Sequence, residues 1–372
     1  MAPGPLVPDY GGACVTEIVP ALLGRTAAAP AWMPEPVAGA EQVVLLVLDG
    51  LGWEQLEERA GRAPTLGTMA GGPVTTVCPT TTATALTSLT TGRPPRDHGV
   101  LGYRMRVEGD EVLNTLRWTT PAGDARERVR PEAVQPVPPF LDAKPPVVTK
   151  GEFARSGFTR AHLAGSELHG WRYPSTLVTH VARLVAEGHP FVYAYYPGVD
   201  SVAHEFGFGA EYDAEVAAAD RTVADVLSVL PPEAALVVVA DHGQVEVGER
   251  VVPIDAGVLA LTRLLSGEGR FRWLHARPGM ADRLLEVARD RHGDQAWVVS
   301  RDEIAAAGWL GPPGALAGAV AARLGDVALA AHAPVAFLDS ADTGVYRLRC
   351  RHGSLTSAEA LVPLVSARGW RG

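Results

Sequence analysis

The chain has 372 residues, with 42 acidic against 33 basic side chains, and its formal net charge at pH 7 is −9. Hydrophobic residues make up 47% of the sequence, the share of an ordinary globular protein that can bury one large core or two smaller ones. The acidic balance, without a basic run longer than a pair, excludes a long nucleic acid or an anionic membrane surface as the expected partner.

The sequence carries no recognisable targeting or membrane signal. No base occurs in the first 24 residues, and the longest uninterrupted aliphatic run, Val43 to Leu48, is too short to cross a bilayer. The three cysteines, Cys14, Cys78 and Cys350, are odd in number and scattered, which fits a reducing compartment. We therefore expect a cytoplasmic protein without membrane contact, as a monomer or a weak homo-oligomer.

Short apolar runs alternate with helical patterns along the chain. The runs that predict buried parallel strands are Val43–Leu48, Phe191–Tyr196 and Leu236–Ala240. Helical periodicity covers Leu177–Ala186 and Tyr212–Leu230, and Pro231-Pro232 ends the second of these helices. Strands that alternate with helices predict an α/β fold with a mainly parallel central sheet flanked by helices.

Two stretches, at about 103–150 and 253–345, interrupt this alternation. In the first, Tyr103–Val107 and Val112–Trp118 predict a hairpin, and a Pro-rich charged loop, Pro121–Pro146, follows it. In the second, a predicted small β-α-β unit consists of Phe271–Ala276, a helix over Pro278–Asp290, and Ala296–Ser300. We interpret both stretches as cap inserts over one core, so that residues 1–372 form a single catalytic domain.

An aspartate lies at or just past the carboxyl end of each predicted core strand. These aspartates are Asp49, Asp200 and Asp241. In an open α/β sheet, ligands bind in the crevice beyond the carboxyl ends of the strands. Three carboxylates that converge there repel one another unless a positive charge lies between them, so the pattern favours a metal site over three separate helix caps.

Histidines accompany these acids. His204 follows Asp200 by four residues, which is one helical turn, and His242 is adjacent to Asp241 at a strand end. His352 precedes a glycine after another alternating stretch, Val345–Cys350. A mixed set of carboxylates and imidazoles suits Zn²⁺ or Mn²⁺ better than Ca²⁺ or Mg²⁺.

Threonines crowd the segment from Thr75 to Gly92. The segment Thr80–Thr91 predicts a helix that Pro79 opens and Gly92 closes. A hydroxyl at such an amino terminus lies in the positive end of the helix dipole, and an adjacent divalent metal lowers its pKa further. One of these threonines is therefore a candidate nucleophile.

The ordered set of motifs resembles the type I phosphodiesterase/nucleotide pyrophosphatase branch of the alkaline phosphatase superfamily. The motifs are Asp49-Gly, a threonine-rich helix that ends in Thr-Gly-x-x-Pro-x-x-His-Gly, Asp200-x-x-x-His204, Asp241-His242-Gly and His352-Gly. The resemblance implies an alkaline-phosphatase-like core and two divalent metal ions. Asp200, His204 and His352 would hold one metal, and Asp49, Asp241 and His242 the other.

The same resemblance assigns the nucleophile. The family places it three residues after a proline and ten before the glycine of Thr-Gly, and both counts give Thr82, which then also contacts the metals. Thr80 and Thr81 are alternatives in a shifted helix register. The family's following Phe-Pro-Asn, whose Asn binds a phosphoryl oxygen, is replaced by Ala83-Thr84-Ala85, and Asn114 in the first insert is a candidate substitute.

The resemblance implies metal-dependent hydrolysis of phosphodiester or pyrophosphate bonds in small anionic nucleotides. A cyclic dinucleotide, cyclic di-AMP, or a linear dinucleotide is the specific candidate. The aromatic side chains that could stack a base are Trp118, Tyr103, Trp171, Tyr173, Phe271 and Trp273. No arginine for a terminal phosphate is identifiable near Thr82 in the sequence, which favours diesters over monoesters. A phosphonate (C–P) hydrolase, such as phosphonoacetate hydrolase, and a non-catalytic metal-binding protein are the alternatives.

Overall fold

The computed structural model describes residues 4–24, 30–342 and 347–370. The strands of the described chain are β1 (Gln42–Leu48), β2 (Ala70–Thr75), β3 (Arg104–Arg106), β4 (Val112–Asn114), β5 (Thr119–Thr120), β6 (Gly123–Asp124), β7 (Val147–Lys150), β8 (Leu168–Trp171), β9 (Phe191–Tyr196), β10 (Ala234–Val239), β11 (Val245–Glu246), β12 (Val251–Val252), β13 (Thr262–Glu268), β14 (Phe271–Ala276), β15 (Ala296–Ser300), β16 (Val327–Ala331), β17 (Ala336–Phe337), β18 (Cys350–Arg351) and β19 (Leu361–Arg368).

The α-helices lie on the faces of the sheets and in the connections between strands. They are α1 (Val15–Leu22), α2 (Trp53–Glu58), α3 (Pro64–Thr68), α4 (Thr82–Thr91), α5 (Pro95–His98), α6 (Pro131–Val134), α7 (Gly157–His162), α8 (Pro174–Ala186), α9 (Gly198–Phe206), α10 (Ala210–Val229), α11 (Ala256–Leu261), α12 (Ala281–His292), α13 (Arg301–Ala306), α14 (Gly318–Arg323) and α15 (Ser357–Ala360). None of these helices is both long enough and apolar enough to cross a bilayer.

A seven-stranded central sheet with the order β2-β19-β10-β1-β9-β7-β8 forms the core. The neighbours from β10 through β8 pair in parallel, and β19 runs antiparallel to both β10 and β2. Strands β1, β9 and β10 are almost entirely buried, which explains their continuous apolar runs. The predicted α/β fold with a mainly parallel sheet is therefore confirmed.

The predicted elements agree with the structure except at their ends. Strand β10 begins two residues earlier than predicted, and helix α8 begins at Pro174 instead of Leu177. The threonine-rich helix α4 begins at Thr82, two residues later than expected. The backbone of Thr81 is extended, and the hydroxyl of Thr80 accepts a hydrogen bond from the Gly353 amide, so the chain before Thr82 is held outside the helix.

The first insert contains the predicted hairpin, in which β3 and β4 pair antiparallel. Strands β5 and β6 extend it to a four-stranded sheet, since the chain turns after Asn114 instead of continuing to Trp118. Strand β7, Val147–Lys150, pairs in parallel with β9 in the central sheet. The last four residues of the stretch at about 103–150 therefore belong to the central sheet.

The second insert forms a separate four-stranded sheet with the order β13-β14-β16-β15. The predicted β-α-β unit is present as β14, α12 and β15, and strand β16 lies between β14 and β15, antiparallel to both. A hydrophobic cluster that includes Leu274, Leu329 and Phe337 gives this insert its own core. The predicted end of the insert at residue 345 lies outside the described residues.

Candidate active site

The three aspartates meet at one edge of the central sheet. Strand β1 is in register with both neighbours, with Val47 opposite Val239 of β10 and Leu48 opposite Tyr196 of β9. Asp49 and Asp241 follow at the ends of β1 and β10, and both are almost fully buried. Asp200 lies in the first turn of α9, where its amide donates to the Asp49 carbonyl at 3.0 Å.

The turn after Asp49 requires a glycine. Gly50 has φ +75°, and a Cβ at this position would lie 2.6 Å from Nε2 of Gln244 and 2.8 Å from Cβ of Asp200. The Gly50 amide also donates to Oδ1 of Asp241 at 3.1 Å. The Asp-Gly pair therefore lets the three carboxylates approach one another.

Each of the three histidines faces a backbone carbonyl with Nδ1. The contacts are His204 to Cys350 at 2.7 Å, His352 to Thr80 at 2.8 Å and His242 to Gly243 at 3.1 Å. A carbonyl oxygen only accepts hydrogen bonds, so Nδ1 must carry the proton. The lone pair of each neutral ring is then on Nε2, which is the orientation of a metal-ligating histidine.

The Nε2 atoms point at the carboxylates. Nε2 of His204 lies 3.3 Å from Oδ1 of Asp200, and Nε2 of His352 lies 3.8 Å from the same oxygen. Nε2 of His242 lies 3.5 Å from Oδ1 of Asp49 and 3.5 Å from Oδ2 of Asp241.

Two groups of ligand atoms lie within 4.8 Å of one another, namely Asp49 with Asp241 and His242, and Asp200 with His242 and His352. The first group coincides with one expected ligand set. The second contains His242 instead of His204, although His204 contacts Asp200 through the same kind of atom. The imidazoles of His242 and His352 stack with centroids 3.6 Å apart, so the two groups are contiguous.

The electrostatics of these residues fit bound cations. Burial, together with the charges of Asp241 and Asp200, raises the pKa of Asp49 well above its usual value. Burial also raises the pKa of Asp241, whereas burial and the neighbouring histidines lower the pKa of His352. Oδ1 of Asp49 and Oδ2 of Asp241 are buried and have no hydrogen-bond partner within the described chain. Divalent cations would satisfy these oxygens and remove the repulsion.

Thr82 is the first residue of α4, and its Oγ1 lies 3.1 Å from Nε2 of His242. The side chain thus reaches the ligand groups from the amino terminus of a helix, where the backbone dipole is positive. The Thr80 hydroxyl is held by two hydrogen bonds and is not directed at the ligand groups, because it donates to the Ser354 carbonyl at 2.9 Å and accepts from the Gly353 amide. Thr81 lines the same cavity as Thr82.

A cavity of about 620 Å³ opens above Thr82, Asp200, His204 and His352. Its other walls come from the first insert, from the β13–β14 turn and from the segment before His352. The charged residues in these walls are Arg117, Glu268, Asp342, Arg347 and Arg351. The three arginines are distant from Thr82 along the chain, so no local sequence pattern predicts that they share a cavity with it.

Asn114 does not line the cavity. Its amide donates to the Tyr103 hydroxyl at 2.7 Å, and its Oδ1 accepts from the Arg117 amide at 3.0 Å, so it orients two residues that do. Among the aromatic candidates for base stacking, Tyr103 lines the cavity. Trp118, Trp171, Phe271 and Trp273 are buried in the core, and Tyr173 is exposed at the start of α8.

The fold is of the α/β class, and the site brings carboxylate and imidazole side chains together as a candidate metal centre. The family model described as type I phosphodiesterase/nucleotide pyrophosphatase matches residues 43–180 and 172–355. The chain therefore belongs to this family, within the alkaline phosphatase superfamily, and is a hydrolase whose superfamily relatives depend on divalent metals. No curated protein sequence matches the chain.

Solved structures with the same fold agree with this assignment. Murine ectonucleotide pyrophosphatase/phosphodiesterase 5 superposes with a TM-score of 0.67 at 14% identity, covering 88% of each chain. Its inactive threonine-to-alanine variant in complex with AMP gives a TM-score of 0.65 at 14% identity, covering 88% of this chain and 87% of that one. Phosphonoacetate hydrolase from Sinorhizobium meliloti 1021, in complex with phosphonoformate, superposes with a TM-score of 0.62 at 18% identity. The match covers 89% of this chain and 91% of that one.

Proposed function

We propose that this protein hydrolyses phosphodiester or pyrophosphate bonds in small nucleotides, with Thr82 as the nucleophile and two divalent metal ions, Zn²⁺ or Mn²⁺, in the site. The observation that carries the proposal is the contact of 3.1 Å between Oγ1 of Thr82 and Nε2 of His242, beside two buried carboxylate oxygens without partners in the described chain. A cyclic dinucleotide such as cyclic di-AMP, or a linear dinucleotide, is the specific candidate substrate.

The residues that would hold the metals are Asp49, Asp200, His204, Asp241, His242 and His352. When bound, the metals neutralise charge on the phosphoryl oxygens and lower the pKa of a neighbouring hydroxyl. The Nδ1–H groups of the three histidines, held by carbonyls, keep the Nε2 lone pairs directed into the site.

The chemistry at phosphorus is two successive displacements. Oγ1 of Thr82 loses its proton, forms a bond to phosphorus and expels the leaving-group oxygen, which takes up a proton. Water then attacks the phospho-threonine, and the Thr82 oxygen regains its proton as it leaves. Because Thr82 is the first residue of α4, the positive end of the helix dipole stabilises the negative charge on its Oγ1 in both steps.

Replacement of Thr82 tests this assignment. We expect Thr82→Ala to lower the hydrolysis of bis-p-nitrophenyl phosphate by at least about 10³-fold while metal content stays at the wild-type level. Thr82→Ser should retain measurable turnover because it keeps a hydroxyl. The murine neighbour with a threonine-to-alanine substitution is inactive, which supports the same role here.

The rates of hydrolysis of bis-p-nitrophenyl phosphate and p-nitrophenyl phosphate, each measured with and without EDTA, distinguish a diesterase from a monoesterase. The wild-type protein should cleave the diester faster, and EDTA should abolish cleavage. Metal binding without turnover of either ester would favour a non-catalytic metal-binding protein.

A phosphonate hydrolase is the second candidate function, because phosphonoacetate hydrolase shares the fold and Arg351 in the cavity wall can bind a carboxylate. A panel of cyclic di-AMP, linear dinucleotides and phosphonoacetate, read by chromatography, distinguishes the two. Turnover of phosphonoacetate with no cleavage of dinucleotides would reject the first choice. A cytoplasmic location and a monomer or weak homo-oligomer stay predictions, and three buried free cysteines support the reducing compartment.

A further inference from the structure

One wall of the cavity carries a buried carboxyl, Glu268, and a half-buried guanidinium, Arg351, both outside the proposed metal centre. Glu268 ends β13, and Arg351 ends β18, one residue before His352. Gly269, the residue after Glu268, lets Arg351 approach the turn, since a Cβ at Gly269 would lie 2.9 Å from a terminal nitrogen of Arg351. The Arg351 guanidinium therefore packs against the β13–β14 turn beside Glu268.

Arg351 is the excess charge in this wall. The neighbouring aspartates are matched by other arginines, because Arg104 contacts Asp339 at 2.5 Å and Asp342 at 3.0 Å, and Arg272 contacts both as well. Arg351 forms no ion pair with any described residue, and its Nε is buried without a hydrogen-bond partner in that part of the chain. The half-buried guanidinium interacts with the charge of Asp342, but Arg104 and Arg272 already pair that carboxylate.

Glu268 does not compensate this charge at neutral pH. Its side chain is 9% exposed, and burial raises its pKa to about 8. Oε2 accepts a hydrogen bond from the Tyr103 amide at 3.0 Å, whereas Oε1 is buried and unpartnered among the described residues. The protonated carboxyl is therefore free to donate a hydrogen bond from Oε1.

We propose that Arg351 and Glu268 form a subsite for a second anionic group of the substrate, beyond the phosphorus that Thr82 attacks. A guanidinium binds phosphate or carboxylate oxygens in a bidentate geometry, and a neutral carboxyl adds a donor. Arg117, exposed at the rim of the same cavity, adds positive charge to its mouth. The subsite rests on the proposed function, and it narrows the substrates to molecules that carry at least two anionic groups.

Two linear dinucleotides that differ by one phosphate test the subsite. The wild-type protein should cleave pApA with a kcat/KM at least about tenfold above that for ApA, the size expected for a charged hydrogen bond. Arg351→Met should reduce this ratio to less than about threefold, and Arg351→Lys, which keeps the charge but not the planar fork, should give an intermediate ratio. A wild-type ratio near one, or an unchanged ratio in Arg351→Met, would overturn the proposal for a phosphate group, and the binding test below then decides it for a carboxylate.

Arg349→Met is the matched control, because Arg349 is an exposed arginine of the same segment and does not line the cavity. It should leave the ratio at the wild-type value. Circular dichroism and thermal unfolding check that each variant is folded, and the lysine variant keeps the test decisive if the methionine variant is not.

Calorimetric binding of phosphonoacetate and methylphosphonate identifies the anion without requiring turnover. If phosphonoacetate binds more tightly than methylphosphonate, and Arg351→Met abolishes the difference, the subsite accepts a carboxylate. If the wild-type protein prefers pApA over ApA but does not prefer phosphonoacetate, the subsite requires a phosphate. Absence of both preferences rejects the subsite. If no diester is cleaved while the phosphonoacetate preference depends on Arg351, the subsite stands and the proposed function fails.

Discussion

Buried carboxylates occur in two regions of this molecule. In one region arginines pair with them, and in the other they have no arginine or lysine partner among the described residues. Where the second insert meets the core, Glu359 is fully buried and receives two hydrogen bonds from the equally buried Arg270, at 2.7 and 2.8 Å. Asp339 and Asp342 are matched in the same way by Arg104 and Arg272. Glu359 therefore joins the second insert to the core, and Asp339 and Asp342 join it to the first insert through Arg104.

At the edge of the central sheet, Asp49, Asp200 and Asp241 converge without any arginine or lysine partner among the described residues. Only neutral donors reach them, from the Tyr195 hydroxyl to Asp49, from Gln244 to Asp200 and from the Gly50 amide to Asp241. The contrast indicates that the fold can pair a buried acid when its role is structural. The unpaired acids are thus the ones available to cations.

The largest expected effect follows from removing one unpaired acid. Asp241→Asn should lose bound metal and lower the turnover of bis-p-nitrophenyl phosphate by at least about 10³-fold. It should also stabilise the metal-free protein, since burial disfavours the charged form of Asp241 and raises its pKa. Elemental analysis, kinetics and urea unfolding in EDTA measure the three effects. Full turnover with metal still bound would contradict the assignment.

Removing one partner of a paired acid should have the opposite effect on stability. Arg270→Met leaves the buried Glu359 without its cation, which should lower the free energy of unfolding by about 3–5 kcal/mol. Arg283→Met is the control, because Arg283 pairs with Glu286 on an exposed helix surface, with side chains 60% and 70% exposed. That change should cost less than about 0.5 kcal/mol in the same urea titration. Equal losses in the two variants would remove the distinction between the regions.

Most of the candidate site could be predicted from the sequence because its signals are local. An aspartate directly after a buried strand, or a histidine one helical turn after an aspartate, is visible in a few consecutive residues. The parallel register then brings the ends of β1, β9 and β10 together. The start of α4 was less visible, since Thr80 is held out of the helix by residues 353 and 354, far along the chain.

The cavity walls could not be predicted, because they come from distant segments. Arg351 and Glu268 line one cavity only after the second insert folds back on the core. The aromatic residues were predicted as candidates for base stacking, but most of them do not reach the cavity. Trp118 and Trp273 belong to sequence regions that cover the site, but both are almost fully buried, and Nε1 of Trp118 donates to the Val129 carbonyl. Composition alone does not separate a stacking platform from core packing.

A smaller effect is expected from the neutral donors around the unpaired acids. Tyr195→Phe removes the hydroxyl that donates to Oδ2 of Asp49, and it should weaken divalent metal binding by about 10–100-fold. Tyr193→Phe is a matched control two residues earlier on β9, because the Tyr193 hydroxyl is buried with no described partner. Competition with a fluorescent chelator measures both affinities. Equal weakening in the two variants would show that the Tyr195 hydrogen bond does not orient Asp49.

The smallest effect concerns Glu268, which is buried like the paired acids but keeps its proton instead of an ion pair. Its pKa is raised by burial to about 8, so the folded protein binds a proton that the unfolded chain releases above its ordinary pKa. This contribution to stability is complete at pH below the unfolded value and is lost as pH rises through about 8. Between pH 6.5 and 8 the free energy of unfolding should fall by about 1.5 kcal/mol from this residue.

Glu268→Gln should abolish that part of the pH dependence, because the amide has no proton to lose. Urea titrations of both metal-free proteins in EDTA, at several pH values in this window, isolate the difference from the pH dependence of metal binding. Parallel curves for the two proteins would mean that Glu268 is already ionised at neutral pH. The ionised carboxylate would then add negative charge to the wall that Arg351 lines, and Glu268 would supply no hydrogen-bond donor there.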